Sequence, residues 1–166
     1  MNQREPNRRA AAAARSSGRS LALQLLYSFE QNHYKDDGLL VTDDLTEEAG
    51  PEGVLYAQAL FTGFCTERIA VDAAVDKRLE NWTIQRLAVI DRAILRLGAY
   101  ELLHRSDTPP KVAINEWIEL AKSFGSEGKT SKLVNGVLDR IARDHEIGGM
   151  KPAPVRAAEV KAVEPE

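Results

Sequence analysis

Cysteine and histidine are scarce in this sequence, with one cysteine and three histidines among 166 residues. One cysteine cannot form an internal disulfide, and the histidines are too scattered to form a cluster with metal-ligand spacing. The sequence also lacks the G-x-S-x-G elbow of hydrolases and the H-E-x-x-H helix of zinc proteases. These absences favour a protein that is not an enzyme, and we expect no catalytic residue, no metal and no cofactor.

Long apolar runs are missing as well. No stretch approaches the about 20 consecutive apolar residues that span a bilayer. The N-terminus is charged and then alanine-rich, unlike the apolar segment of a signal peptide. Because the lone cysteine also fits a reducing compartment, we expect a cytoplasmic protein with no membrane contact.

Apolar residues recur at helical spacing along most of the chain, and no segment shows the period-two alternation of a half-buried strand. Between Lys111 and Arg140, two such stretches are separated by a short polar connector. A further stretch from about Thr83 to His104 is apolar on more than one side, which predicts a central helix covered by others. We expect an all-α fold of about seven helices around a shared core.

The two ends of the chain differ in composition from its middle. Residues 1–14 are rich in arginine and alanine, and we expect them to form a flexible basic arm. Residues 148–166 are rich in Gly, Pro, Ala and Glu and bury too little apolar surface to offset the entropy of ordering. The sequence therefore predicts a folded domain over residues 15–147, followed by a disordered tail.

Arginines are concentrated in the first 20 residues, although the net charge of the chain is −3. Arg15, Arg19, Leu23 and Tyr27 are spaced four apart and share one row of the first helix, away from the centre of its apolar stripe. Two guanidinium groups and a ring on one row can bind phosphates and stack a base. Alternatively, Tyr27 packs against another helix while the arginine stems lie along apolar surface. Geometry alone leaves both interpretations open.

The connector from Ser126 to Lys132 is polar and carries Lys129 and Lys132. Its sequence GSEGKT resembles a phosphate-binding loop, but it has two residues rather than four between the first glycine and the Gly-Lys pair. It also follows a predicted helix, whereas a phosphate-binding loop follows a strand. We therefore expect a solvated basic tip between two helices and no nucleotide site.

Asp91 lies on the rim of the apolar stripe of the predicted central helix. A carboxylate in this place either pairs with an arginine or contacts a partner protein. The arginines near it in sequence are Arg86, Arg92 and Arg96. The residues alone favour the internal pair.

Two overlapping segments resemble the NusB family of bacterial transcription antitermination factors: NWTIQRLAVIDRAILRLGAYELLHRSDTPPKVAINE and VAINEWIELAKSFGSEGKTSKLVNGVLDRIA. Together they cover about residues 81–143, with weaker similarity back to Arg15. The resemblance implies two three-helix lobes and no catalysis. It also implies binding of the boxA element in leader or ribosomal RNA transcripts, together with NusE, a small-subunit ribosomal protein. That pair helps to assemble the antitermination complex that lets RNA polymerase pass terminators.

The resemblance also implies which residues bind RNA. Arg15 and Arg19 match an RNA-contacting, arginine-rich segment of the family. Ser16 and Ser17 stand where further arginines often occur, so the N-terminal arm is expected to supply arginines in their place. Tyr27 matches the exposed tyrosine of the LLYS segment, and a lysine precedes the VNG segment. The expected RNA contacts are Arg8, Arg9, Arg15, Arg19, Tyr27, Lys129 and Lys132.

Asp91 falls on the acidic position that faces NusE in the family, so the resemblance favours a partner contact over the internal pair. Tyr27 is expected to contribute to the same contact. One alternative to the RNA-binding function remains. Some NusB relatives are dimers, and self-association over the arginine face would leave a helical homodimeric adaptor that binds protein but not RNA.

Overall fold

Helices make up most of the chain in the computed structural model, which describes residues 3–33, 43–80 and 82–152. These ranges contain no β-strand, and the predicted all-α class is confirmed. They contain five α-helices, fewer than the seven or so that we expected. In chain order the elements are α1 (Arg4–Gln31), α2 (Asp43–Asp76), α3 (Val89–His104), α4 (Pro110–Phe124) and α5 (Thr130–Asp144), with single 3₁₀ turns at Ile84–Arg86 and Ile147–Gly149.

Part of the difference in helix count lies in α2, which joins helical segments on either side of a kink. Its backbone leaves the helical range at Gly50, with φ 69° and ψ 172°, and again at Glu67. Glycine adopts a positive φ without the clash that a Cβ would cause. Pro51 then opens the next helical segment, a position where its missing N–H is not needed. α2 therefore consists of two helical segments that meet at Gly50, with a further irregular point at Glu67.

α1 begins earlier than the sequence suggested. It starts at Arg4 and runs through the alanine-rich residues 10–14, and alanine has the highest helix propensity. The segment expected to be a flexible arm is therefore helical from Arg4 onward, and its flexibility stays a prediction. At the other end, residues 150–152 have no regular structure. The rest of the expected tail, residues 153–166, lies outside the described residues.

α3 lies between two helix pairs. α1 packs mainly against α2, α4 packs mainly against α5, and α3 contacts all four. Every residue of α3 from Ala93 to Leu102 is buried, as predicted for a helix that is apolar on several sides. The core is one cluster that runs through both pairs, and Trp117 of α4 is its largest fully buried side chain.

Membrane spans and metal clusters are both absent from the part of the chain that the structure describes. None of the helices in those ranges has the length and apolar character that a membrane span requires. No three His, Cys, Asp or Glu side chains within the same ranges are grouped to hold a metal ion.

Candidate nucleic-acid interface

The predicted arginine–tyrosine row of α1 does not stay on the surface. Arg15 is half-buried and Tyr27 is 40% exposed, but Arg19 and Leu23 between them are each only 1% exposed. The middle of the row is covered because α2, α3 and α4 all pack against α1. Only the two ends of the row can therefore contact a ligand.

Arg19 is bound entirely within the protein. Its Nε lies 3.0 Å and 2.9 Å from the two carboxylate oxygens of Glu101, and its Nη2 lies 2.6 Å from Glu101 Oε1 and 3.1 Å from Thr108 Oγ1. Burial by itself lowers the pKa of Arg19, but the hydrogen bonds and charge of Glu101 outweigh it and raise the pKa, so the guanidinium stays charged. The structure does not support the prediction that Arg19 contacts RNA, because the side chain has almost no exposed surface from which to reach a phosphate.

Glu101 joins four helices through its two oxygens. Besides Arg19 of α1, it accepts hydrogen bonds from Tyr56 Oη of α2 at 2.7 Å and from Trp117 Nε1 of α4 at 2.6 Å. Burial, together with the nearby charge of Glu101, raises the pKa of Tyr56 to about 12. No sequence spacing pairs residues 19 and 101, so this cluster could not be found from a single sequence. The cluster holds the part of α1 around Arg19 against α3 and α4.

Two of the three arginines that could pair with Asp91, Arg92 and Arg96, have other partners. Arg96, fully buried, binds Glu30 of α1, and its Nε and Nη2 each lie 2.8 Å from an oxygen of Asp72 of α2. The Nη2 of Arg92 lies 3.2 Å from Glu30 Oε2. Among the ion pairs within residues 3–33, 43–80 and 82–152, none includes Asp91. The predicted internal arginine pair is therefore wrong.

Asp91 instead binds the connector between α4 and α5. It lies in the first turn of α3 and is 7% exposed. Its Oδ1 accepts a hydrogen bond from the backbone N–H of Ser126 at 2.9 Å, and its Oδ2 accepts one from Ser126 Oγ at 2.5 Å. Sequence reasoning missed Ser126, although its place directly after the Phe-Gly end of α4 marked it as a connector residue. Asp91 thus holds the loop that carries the predicted lysines.

The lysines of the connector lie on the surface, as the sequence predicts. Lys129 is the residue before α5 and Lys132 lies in its first turn, and both are exposed. Leu133, beside them, is partly buried against the core. The connector joins two helices and not a strand to a helix, so it has the wrong context for a phosphate-binding loop. It is a short tip with two lysine side chains in solvent.

Tyr27 lines a shallow groove where α1, α3 and α4 meet. The groove has a volume of about 470 Å³, and its mainly apolar walls include Ile90 of α3 and Phe124 of α4, which is 48% exposed. Ile90 directly precedes Asp91, and Phe124 stands two residues before Ser126. Tyr27 therefore lines the groove, whereas Asp91, the other residue expected to contact a partner, does not line it and is buried beside the connector.

A second, more polar depression continues along α1 from this groove. Gln24 lines both depressions, and the second reaches back along α1 to Ser16 and Ser17. Ser16 Oγ donates a hydrogen bond to Glu116 of α4 at 2.7 Å, so the first of the serines that replace family arginines contacts α4. Arg8 and Arg9 lie beyond it on the exposed N-terminal turns of α1. We use the name α1–α4 face for these two depressions together with the N-terminal turns of α1, which carry Arg8, Arg9 and Arg15, and the connector, which carries Lys129 and Lys132.

The model of the NusB family matches residues 16–143, which include α1 from Ser16 onward and all of α2 to α5 apart from the last residue of α5. The chain belongs to the NusB family. This confirms the resemblance found in the sequence. The family consists of transcription antitermination factors and not of enzymes.

Curated NusB proteins match the chain over almost their full length. The transcription antitermination protein NusB of Sorangium cellulosum is 42% identical over 131 residues, which are 79% of this chain and 93% of the relative. NusB of Geobacter sulfurreducens is 43% identical over 130 residues, or 78% of this chain and 94% of that protein. The similarity therefore spans the helical domain as a whole.

Solved NusB structures share the fold. NusB of T. maritima matches with a TM-score of 0.67 and 33% identity, covering 78% of this chain and 91% of that one. The NusB fold is also matched in a crystal structure of antitermination factors NusB and NusE in complex with double-stranded RNA. There the TM-score is 0.67 at 27% identity, over 79% of this chain and 97% of that one. NusB proteins of this fold thus include one crystallised with both a partner protein and RNA.

Proposed function

We propose that this protein is a transcription antitermination factor that binds boxA RNA in ribosomal and leader transcripts together with NusE. The pair would assemble, in the cytoplasm, into the complex that acts on RNA polymerase. The observation that carries the proposal is the match of the whole helical domain to NusB proteins, one of them in a complex with NusE and RNA. The exposed cations of the α1–α4 face support the RNA part of the proposal.

The RNA contacts that we propose are the cations at the two ends of the α1–α4 face. Arg8, Arg9 and Arg15 stand at the α1 end, and Lys129 and Lys132 stand on the connector. Each lysine or arginine that neutralises a phosphate releases condensed counterions, so affinity falls as salt rises. Arg19 is left out of this set because Glu101 and Thr108 already hold it.

The groove beside Tyr27 is the proposed contact for NusE. Its apolar walls and the exposed rings of Tyr27 and Phe124 suit a protein surface, since aromatic side chains are enriched where proteins meet. A base could also stack on Tyr27, but the apolar groove favours the protein. In this assignment, RNA binds the cationic ends of the α1–α4 face and NusE binds the groove between them.

Fluorescence anisotropy with a labelled boxA RNA tests the proposal directly. We expect binding that weakens as salt rises, that is stronger for boxA than for a scrambled RNA of the same length, and that tightens when NusE is added. NusE must then also bind more tightly in the presence of RNA, by the same factor.

The absence of boxA binding even with NusE would contradict the proposal. Sedimentation would then show whether the chain is a homodimer that covers the α1–α4 face. A dimer that binds NusE but no RNA would support the adaptor function in its place.

A further inference from the structure

The connector between α4 and α5 is held to α3 by one side chain. Both carboxylate oxygens of Asp91 bind Ser126, one through the backbone N–H and the other through the hydroxyl. Ser126 itself is exposed. The carboxylate of Asp91 is therefore hydrogen-bonded to an exposed loop and not to the core or to an arginine.

Two further contacts, at Glu127 and at Gly125, restrain the same loop. The hydroxyl of Thr130, a buried residue, accepts a hydrogen bond from the N–H of Glu127 at 3.3 Å. Gly125 is packed so closely that a Cβ there would lie 2.4 Å from the carbonyl oxygen of Ala121 and 2.8 Å from Thr130 Cβ. With Ser126 bound to Asp91, the connector is restrained at three consecutive residues before it reaches Lys129.

Because Asp91 is buried, its carboxylate needs the hydrogen bonds that Ser126 donates. A buried carboxylate without a cation is costly unless hydrogen bonds satisfy it. Ser126 supplies two such bonds, and the N-terminal end of α3 adds a favourable dipole for an acid in the first turn. Because these bonds need the connector in its observed shape, Asp91 favours that shape over others.

We propose that Asp91 is a positioning residue for RNA binding, which orders the connector so that Lys129 and Lys132 are presented together to the phosphates. The inference rests on the proposed function and deepens it. It also gives Asp91 a role that the resemblance does not imply, an inward contact with Ser126. The pair of residues is called the Asp91–Ser126 clamp below.

Three substitutions distinguish a positioning role of Asp91 from an effect of its charge and from a direct contact with NusE. Asp91→Ala removes both hydrogen bonds, Ser126→Ala removes only the hydroxyl bond, and Asp91→Asn removes the charge. An asparagine can still accept from the Ser126 N–H and donate to its hydroxyl. Glu119→Ala is the matched control, because it removes one carboxylate from the exposed surface of α4.

The direction of the change in RNA affinity distinguishes the two roles. Removing a carboxylate near phosphate-binding lysines strengthens RNA binding if only charge matters. The clamp predicts the opposite for Asp91→Ala, about fivefold to tenfold weaker binding without NusE, and about fivefold weaker binding for Ser126→Ala, the loss expected for one or two ordering hydrogen bonds. Asp91→Asn is expected to bind at least as tightly as the natural chain. The Asp91→Ala, Ser126→Ala double variant is expected to match Asp91→Ala, because both changes break one unit.

Hydrogen exchange gives a readout that does not depend on RNA. The amides of residues 126–129 are expected to exchange faster in Asp91→Ala, while those of α3 and α5 keep their natural rates and circular dichroism shows an intact fold. If the natural chain binds no boxA RNA, the proposed function fails, and these exchange rates alone decide whether Asp91 orders the connector.

Two results would overturn the inference. One is unchanged exchange at residues 126–129 in Asp91→Ala. The other is RNA binding by the protein alone that is unaffected or strengthened in Asp91→Ala while NusE binding without RNA is weakened. That second pattern identifies Asp91 as a direct partner contact.

Discussion

Three arginines of the chain, Arg19, Arg92 and Arg96, form ion pairs inside the helical bundle. Such pairs add little net stability by themselves, because their attraction is offset by the loss of hydration. Breaking one leaves a buried charge without a partner, which is far more costly. Substitutions at these positions therefore report on folding, and a loss of RNA binding in an Arg19 variant would not show that Arg19 contacts RNA.

Tyr56 is expected to make stability depend on pH in the alkaline range. The unfolded phenol ionises near pH 10, but the folded one keeps its proton to about pH 12. Between these values the folded state binds more protons, so stability falls as pH rises, by roughly 2 kcal/mol over the whole interval. Urea unfolding at pH 8, 10 and 11 is expected to show a shallower decline for Tyr56→Phe than for the natural chain.

Tyr27→Phe is the control for that experiment, since it removes the same hydroxyl from a tyrosine that is exposed. Identical pH curves for the natural chain and Tyr56→Phe would contradict the assignment.

At the scale of single helices, the apolar pattern locates the later helices, but it does not give the start of α1 or show which neighbours cover each helix. The spacing in α3, α4 and α5 located all three helices, and the polar connector between the last two was visible in the sequence. The pattern left the exposure of Arg19 open, because the apolar stripe of α1 does not indicate how many neighbours pack on its flanks. Ser126 and Asp91 are 35 residues apart, so their contact depends on the packing of α3 against α4, which periodicity does not encode.

The exposed start of α1 is expected to contribute to RNA affinity as a cationic element. Replacing both Arg8 and Arg9 by alanine should weaken boxA binding and reduce the slope of log affinity against log salt by about 0.7 for each phosphate that is no longer neutralised. Alanine keeps the helix intact. Anisotropy titrations over a series of salt concentrations measure the slope.

Lys77→Ala is the matched control for the arginine pair, because this exposed lysine after α2 lies outside the α1–α4 face. It is expected to leave the slope unchanged. An equal effect of Lys77→Ala would show that only overall charge matters, and an unchanged slope in the arginine variant would remove Arg8 and Arg9 from the interface.

For the molecule as a whole, Glu101 is the point where the two helix pairs meet. It connects α1, α2 and α4 to α3 through Arg19, Tyr56 and Trp117. The family resemblance implied two lobes, and the sequence predicted a shared core, but neither could show that a buried acid joins them. Glu101 can be recognised as that acid only in the folded structure, where it contacts Arg19, which lies 82 positions earlier in the chain.

Glu101→Gln is expected to destabilise the entire domain by about 3–5 kcal/mol, because it leaves Arg19 charged and buried without a counter-ion. Denaturant unfolding, followed by both circular dichroism and tryptophan fluorescence, should show one transition at lower denaturant. Glu119→Gln, on the exposed surface, is expected to change stability by no more than about 0.5 kcal/mol. A loss of similar size in both variants would contradict the central role of Glu101.

The early start of α1 has a consequence for how quickly RNA is captured. The chain as a whole is acidic, so at long range it repels a nucleic acid. The helical rise places Arg8 about 15 Å from Gly18, where the buried part of α1 begins. This distance is about twice the Debye length of roughly 8 Å in physiological salt. An RNA strand that reaches Arg8 is therefore screened from much of the acidic body, and the first encounter is governed by the local charge of the helix tip.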